Sequence, residues 1–180
     1  MKSNLFIVAK EGLAYIAFSL LALIIFSIFD LDLFGFLSLL TLLFFIYVFR
    51  NPERELPGFE KNSVVSPVDG TVLSIQELQD SEYSYKVEIE SSYFDVSILR
   101  APMNSKIETI ELINGSRVSK KSKLFKDTNE KAELVFVDEN LNKVKVIHIL
   151  KQSFAPIFIN IIKKQNLHQA SRYGVAINGV

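Results

Sequence analysis

Two long hydrophobic runs open the chain, at residues 12–29 and 33–49. As helices they would each be about 26 Å long, close to the ~30 Å hydrocarbon core of a bilayer. Asp30 and Asp32 lie between the runs, and a single long helix would bury both in lipid at about 2.5–3.5 kcal/mol each. A turn at these residues avoids that cost. The pattern therefore predicts an N-terminal transmembrane helical hairpin.

Beyond residue 62 the apolar residues occur in short runs rich in valine and isoleucine, which is typical of β-strands. Tyr85, Val87 and Ile89 alternate with polar residues and would share one face of a strand. Residues 132–150 predict a hairpin with a loop at 139–142. We therefore expect a mainly β domain, sandwich-like or barrel-like. If it contains helices, it is at most an α+β domain. Further strands are predicted at residues 63–66, 71–78, 93–102, 155–167 and 173–179.

These patterns divide the chain into three parts. Residues 1–49 form the predicted membrane anchor. Residues 50–62 contain proline and glycine breakers with mixed charge, which indicates a connector. Residues 63–180 form the predicted β domain, which is long enough to bury a core of its own.

The composition excludes several kinds of site. The chain has 180 residues, no cysteine and a formal net charge of zero. Without cysteine there are no disulfides, no thiolate catalysis and no cysteine-based metal sites. Because there is no overall basic field, nucleic acid is not predicted as a partner. No group of histidine and carboxylate residues has ligand spacing, and no metal is predicted.

The basic residues that flank the hydrophobic runs indicate an orientation. Lys2 and Lys10 precede the first run, whereas Arg50 and Arg54 follow the second. The turn between the runs carries only acidic residues. The positive-inside rule therefore predicts a multi-pass protein of the cytoplasmic (inner) membrane, with the β domain facing the cytoplasm.

One basic run, residues 117–126, lies within the β domain. It fits a solvated loop. It also fits a segment attracted to anionic phospholipid, at about 1 kcal/mol per basic residue close to the surface. The predicted partner is the phospholipid membrane, and the protein partner is left open.

Five short motifs follow one another along the chain. The turn motif SPVDG alone is ordinary turn chemistry, but its neighbours change its meaning. The motifs are VFRNPERELP (48–57), VVSPVDGTV (64–72), FDVSILRAP (94–102), TNEKAELVF (128–136) and RYGVAINGV (172–180). In this order they resemble the short, membrane-anchored form of phosphatidylserine decarboxylase, from the anchor to the last residue.

The resemblance implies a particular chemistry. In that family the precursor cuts itself at a Gly–Ser bond in the last motif, and the serine becomes a pyruvoyl group. The pyruvoyl carbonyl forms an imine with phosphatidylserine and accepts the electrons released when CO2 leaves. A histidine assists the serine as a base, and the aspartate of the turn motif orients that histidine.

The family positions carry over residue by residue, with two departures. Asp69 matches the triad aspartate, and Arg100 matches the arginine of the third motif, a candidate substrate-binding residue. Ser97 stands where the family has histidine, and a seryl hydroxyl is no base near neutral pH. Gly179 matches the glycine of the cleavage pair, but Val180 replaces the serine. Because an isopropyl group has no heteroatom, no pyruvoyl cofactor is predicted to form.

His148 and His168 are the two histidines of the chain, and neither lies in a matching motif. We predict that His148 is a structural residue of a strand and that His168 lies in a surface loop.

Three kinds of function stay open. The preferred one is a phosphatidylserine decarboxylase-related membrane protein of phospholipid metabolism that is a pseudoenzyme and binds phospholipid or a partner protein. The second is an active decarboxylase, which requires that the gene continue past Val180, since the chain stops where the family's pyruvoyl-bearing segment begins. The third is an unrelated anchored β domain or a truncated product.

Overall fold

A computed structural model describes residues 7–54, 63–79 and 82–180 of the chain. Contacts between residues divide it into two units, Met1–Arg54 and Glu55–Val180. The predicted connector residues 55–62 and the flanking Lys2 lie outside the described residues.

The first unit contains two adjacent apolar helices. Tyr15 near the start of one packs against Phe45 near the end of the other, with ring centroids 5.3 Å apart. Between the helices Asp30 adopts a left-handed φ of 52°, a conformation that asparagine and aspartate tolerate better than most residues. The predicted turn at this position is therefore present. The elements are a 3₁₀ turn (Lys10–Gly12), α1 (Leu13–Ile28) and α2 (Asp32–Val48).

One of these helical segments has the length and composition of a membrane span. Among the described residues, Lys10–Ile28 is long and apolar enough to cross a bilayer, with a mean hydropathy of 2.1. Helix α2 has 17 residues, fewer than the 19 of the continuous segment Lys10–Ile28. An apolar N-terminal helix ahead of a mainly β domain is thus confirmed, whereas a crossing by both helices stays a prediction.

The second unit is built mainly from antiparallel strands, as predicted. They form a two-stranded sheet (β1-β2), a three-stranded sheet (β3-β9-β7) and a four-stranded sheet (β6-β5-β4-β8). A single short helix, α3 (Phe125–Thr128), occurs in the described part of this unit. The strands are β1 (Thr71–Glu77), β2 (Tyr85–Glu90), β3 (Ile98–Arg100), β4 (Ser105–Ile113), β5 (Lys131–Val137), β6 (Lys143–Ile149), β7 (Phe158–Ile159), β8 (Asn166–Leu167) and β9 (Arg172–Val175).

The three- and four-stranded sheets share one hydrophobic core. Every second residue of β5 is fully buried, namely Ala132, Leu134 and Phe136, which is the alternation expected of a half-buried strand. Tyr173 of β9 packs its ring 5.5 Å from that of Phe136. The core therefore joins the chain's last strand to the centre of the four-stranded sheet.

Several strand predictions are confirmed and others are wrong. Strands β2, β5 and β6 match, and the β5–β6 loop is closed by Asp138, whose Oδ1 accepts the N–H groups of Asn140 and Asn142 at 2.8 Å each. Residues 63–66 form no strand. Of residues 93–102 only β3 is a strand, because Ser92 and Asp95 form a hydrogen-bonded turn before it.

The longest strand of the second unit, β4, is absent from the sequence-based prediction. Its pairing with β5 shifts register between Ile107 and Thr109. This bulge interrupts the two-residue period, and the apolar positions on either side no longer read as one alternating run. Likewise, the predicted strand at 155–167 is reduced to the short β7 and β8.

Candidate functional site

The last residues of the chain pair with the end of β6. Ile149 N–H donates to the Val180 carbonyl at 2.8 Å, and Val180 N–H donates to the Ile149 carbonyl at 2.9 Å. Lys151 N–H donates to the Asn178 carbonyl at 2.8 Å. A Cβ on Gly179 would lie 3.0 Å from the Ile149 carbonyl oxygen, so this close approach favours glycine. The peptide group between residues 179 and 180 is thereby fixed in place.

Ser91, the residue that follows β2, contacts the same peptide group from another side. Its N–H donates to the Gly179 carbonyl at 2.9 Å. Its Oγ accepts a hydrogen bond from Gly179 N–H at 3.1 Å and donates to the Gly179 carbonyl at 3.3 Å. Sequence reasoning missed Ser91, because the contact joins positions 88 residues apart and no local motif marks it.

A small cavity of about 10 Å³ lies beside the terminal pair. This volume holds about one water molecule, and a phospholipid headgroup does not fit in it. Its lining is largely apolar, with Val96, Leu99 and Ala176 among its residues. His148 and Ser91 contribute the polar part of the wall.

Two of the five predicted site residues line this cavity. Gly179 and Val180 line it directly. The other three each follow a lining residue in sequence, but they are not themselves part of the lining. These neighbouring pairs are Val68 with Asp69, Val96 with Ser97, and Leu99 with Arg100.

Asp69 lies half-buried in the turn that precedes β1. Ser66 Oγ donates to the Val68 carbonyl at 2.6 Å within this turn. At the next position, a Cβ on Gly70 would collide with the carbonyl oxygen of Glu90 at the end of β2. Glycine therefore lets the turn that carries Asp69 pack closely against the end of β2.

Ser97 directly precedes β3, and Arg100 is the last residue of that strand. Ser97 is buried, and its carbonyl accepts the N–H of Ala176 at 2.9 Å. Arg100 N–H donates to the Pro67 carbonyl at 2.9 Å, and its guanidinium donates to the Ala170 carbonyl at 3.1 Å. Arg100 thus ties the turn that carries Asp69 to the start of the terminal strand.

Asn129, in the fourth motif, joins three segments next to the site. Its side chain is 1% exposed. Oδ1 accepts from Ser116 Oγ at 3.1 Å and from Val118 N–H at 3.2 Å. Nδ2 donates to the carbonyls of Val118 at 2.9 Å and Leu150 at 2.7 Å. All the hydrogen-bonding capacity of this buried amide is used, which fixes the segment that pairs with the chain's last residues.

Glu130 adds a second set of bonds from the same motif. Its Oε2 accepts two hydrogen bonds from the Arg117 guanidinium, at 2.7 and 2.9 Å. Its Oε1 accepts the N–H of Ile157 at 2.8 Å. Both residues belong to the fourth motif, and the motif alone indicates no role for either of them. Their bonds show that they connect the loops around residues 117, 150 and 157.

Ion pairs attach part of the basic run to β2. Lys126 Nζ lies 3.3 Å from Glu88, and Lys120 Nζ lies 3.4 Å from Glu90. Lys151 also contacts Glu90, at 2.7 Å. The hydrogen bond from Lys151 lowers the pKa of the Glu90 carboxyl. The run is therefore only in part a solvated loop.

His148 is a buried core residue, as predicted. Its Nε2 and the Tyr173 hydroxyl form a 2.6 Å hydrogen bond between β6 and β9. Burial lowers the pKa of the His148 imidazole from 6.5 to about 4 and raises the pKa of Tyr173. The imidazole is therefore neutral at physiological pH. The other histidine, His168, is exposed after β8, in agreement with its predicted place in a surface loop.

Comparison with known proteins agrees with the resemblance in the sequence. Residues 41–175 match the family model for phosphatidylserine decarboxylase. This region includes Asp69, Ser97 and Arg100 and ends before Gly179. The match spans most of the chain, so the fold and site described above are those of a member of the phosphatidylserine decarboxylase family.

Individual relatives share the same name, phosphatidylserine decarboxylase proenzyme. The protein from Desulfotalea psychrophila is 26% identical over 146 residues, 79% of this chain and 68% of the relative. That from Syntrophus aciditrophicus is 29% identical over 180 residues, 97% of this chain and 84% of the relative. That from Carboxydothermus hydrogenoformans is 40% identical over 80 residues, which are 42% of this chain and 37% of the relative.

Replacement of Asn129 by alanine should destabilise the second unit by about 2–4 kcal/mol, because several buried groups lose their hydrogen-bond partner. Denaturant unfolding of the full chain in detergent measures the change. Asn142→Ala is the matched control, since the Asn142 side chain is exposed and bonds only within the β5–β6 loop. Equal losses in the two variants would contradict the central role of Asn129.

The buried His148 should make folding sensitive to acid. Its folded pKa lies below its unfolded value, so its neutral form is favoured by folding and stability falls as the pH drops from 6.5 towards 4. The loss is about 1.4 kcal/mol per pH unit and about 3 kcal/mol in total.

Unfolding midpoints across this pH range test the effect of His148. The His148→Gln variant should lose the corresponding slope, whereas His168→Gln should keep it. Carboxylates such as Glu88 and Glu90, whose pKa values are lowered in the folded state, also reduce stability at more acid pH. Because both variants keep these carboxylates, the difference between the two slopes is due to His148. A slope unchanged by His148→Gln would refute the assignment.

Proposed function

We propose that this chain is a membrane-anchored relative of phosphatidylserine decarboxylase that serves phospholipid metabolism without processing itself at residues 179 and 180. The observation that carries the proposal is the side chain at position 180. Gly179 and Val180 occupy the positions of the family's cleavage pair, and the isopropyl group of Val180 has no atom that attacks a carbonyl.

The residues around the terminal pair support this proposal. A pyruvoyl group requires a ketone oxygen derived from the residue after Gly179, and a hydrocarbon side chain supplies none. The group therefore does not fit the residues present. Ser97 replaces the family's base with a hydroxyl that is not basic near neutral pH. The cavity of about 10 Å³ is also too small for a headgroup.

An active decarboxylase is the second candidate. Asp69 and Arg100 occupy the family positions, and the family match over residues 41–175 supports this reading. It requires a nucleophile and a segment that lie beyond residue 180 of a longer protein.

The proposed location is the inner membrane, with two spans and the β domain in the cytoplasm. The apolar segment Lys10–Ile28 supports the membrane anchor. At the end of α2 the Arg50 guanidinium lies over the Tyr47 ring, 4.1 Å from its centroid. Such a pair is well suited to the interface between lipid and water. The positive-inside rule places a basic residue at this interface on the cytoplasmic side.

The proposed partner is anionic phospholipid, bound through the middle of the basic run. Lys121 and Lys123 are exposed and form no ion pair within the described part of the chain. Leu124 beside them is 57% exposed. Two exposed lysines close to an anionic surface supply about 2 kcal/mol, at about 1 kcal/mol each.

Incubation of the purified full chain with phosphatidylserine micelles tests the absence of processing. We expect no release of CO2, and an intact mass that hydroxylamine does not change, because no ester or pyruvoyl group forms at residue 180. A decarboxylating relative measured in parallel is the positive control. Sustained, hydroxylamine-sensitive release of CO2 would overturn the proposal in favour of the second candidate.

Hydrogen exchange of the full chain in nanodiscs tests the lipid contact. Amides of residues 119–124 should exchange more slowly in anionic than in zwitterionic bilayers. The double variant Lys121→Gln/Lys123→Gln should reduce this difference, whereas Lys163→Gln/Lys164→Gln, at another exposed lysine pair, should not. Equal exchange in the two bilayers would reject anionic lipid as the partner of this run.

A further inference from the structure

The carbonyl of Gly179 receives two hydrogen bonds from a single residue. Ser91 donates to it through its main-chain N–H at 2.9 Å and through its hydroxyl at 3.3 Å. Two donors on one acyl oxygen are the arrangement that stabilises the negative charge of a tetrahedral intermediate in acyl transfer. The bond to the carbonyl carbon is the one that joins residues 179 and 180.

The donors are held rigidly on both sides of the contact. Ser91 follows Glu90, whose carboxylate pairs with Lys151 at 2.7 Å and Lys120 at 3.4 Å. On the other side, the main chain of Val180 is bonded to Ile149 in both directions. Both partners are therefore positioned before any reaction, and such preorganisation gives an oxyanion site its strength.

We infer that Ser91 forms an oxyanion site for the Gly179 carbonyl, so that the chain retains the electrophilic half of a self-cleavage site whose nucleophile is absent. The inference rests on the proposed function, because it concerns the same peptide bond. It goes further in naming a residue that neither the motifs nor the family match singles out.

The step that this site would assist is an acyl shift. A hydroxyl on Cβ of residue 180 attacks the Gly179 carbonyl carbon, and its proton passes to a base. The carbonyl oxygen carries the negative charge between the two Ser91 donors. When the carbon–nitrogen bond breaks, the nitrogen takes up a proton and an ester remains. Nothing is oxidised or reduced in this step.

Selective isotope labelling tests the contact without any reaction. Labels on glycine carbonyl carbons and valine nitrogens report on the two Gly–Val peptide bonds of the chain, 174–175 and 179–180. In the full chain in detergent, Ser91→Ala should move the carbonyl signal of Gly179 upfield, because a donor is lost. The signal of Gly174 should not move, which also reports an intact fold.

Ser92→Ala is the matched control, because the Ser92 hydroxyl bonds to Asp95. It should leave both signals in place. A Gly179 signal that is unchanged by Ser91→Ala would overturn the inference, while the proposed function would stand.

A second experiment tests the oxyanion role itself, in a variant that can react. The variant Val180→Ser/Ser97→His supplies a nucleophile and a base, and hydroxylamine should convert its ester to a chain that ends in a Gly179 hydroxamate, detected by intact mass. Adding Ser91→Ala should slow this conversion about tenfold or more, since removing one oxyanion donor typically costs about 10²–10³-fold and the main-chain donor remains. An unchanged rate would overturn the inference, whereas processing of the unaltered chain would overturn the proposed function instead.

Discussion

The candidate site depends on the pairing of the chain's last residues with the end of β6. Strand β9 belongs to the three-stranded sheet up to Val175. The chain then crosses to the four-stranded sheet, where Val180 and Ile149 exchange two main-chain hydrogen bonds. Because Asn129 bonds to the Leu150 carbonyl from within the core, the receiving segment is itself fixed. The terminal peptide group is thus set by contacts far from it in sequence.

A second link between the two sheets is a buried hydrogen bond made by the histidine that lines the cavity. His148 lines the cavity, and its Nε2 is bonded to the hydroxyl of Tyr173. With a pKa of about 4, its imidazole is a weak proton acceptor at neutral pH, since a general base works best when its pKa is near the operating pH. The pair therefore contributes a buried polar contact between β6 and β9.

The sequence predicted those parts of the fold that depend on local pattern. The apolar runs, the turn at Asp30, strand β2 and the β5–β6 hairpin each follow from a few adjacent residues. Strand β4 was missed because its bulge at Ile107 breaks the alternation on which the prediction relies. Residues 63–66 had strand composition, but the described structure offers them no strand partner.

The predictions about the site divide in the same way, into those that follow from local motifs and those that depend on distant contacts. The motifs led to Asp69, Ser97, Arg100 and the terminal pair. In the fold the terminal pair lines one cavity, and each of the other three residues follows a lining residue in sequence. Their roles follow from the family resemblance and stay predictions. The contact between Ser91 and Gly179 depends on the pairing of segments 88 residues apart. No periodicity or motif encodes such a contact, because it arises only when three sheets have assembled.

Residue 180 is held by its main chain, while its side chain is only half-buried. The cavity beside it is small and largely apolar, with Leu99 and Ala176 in its wall. An apolar side chain in such surroundings is stabilising in proportion to the area that it buries. The Ser91 bonds satisfy the peptide groups of Gly179 and involve no side-chain atom of residue 180. The arrangement around this carbonyl therefore does not depend on which side chain follows Gly179.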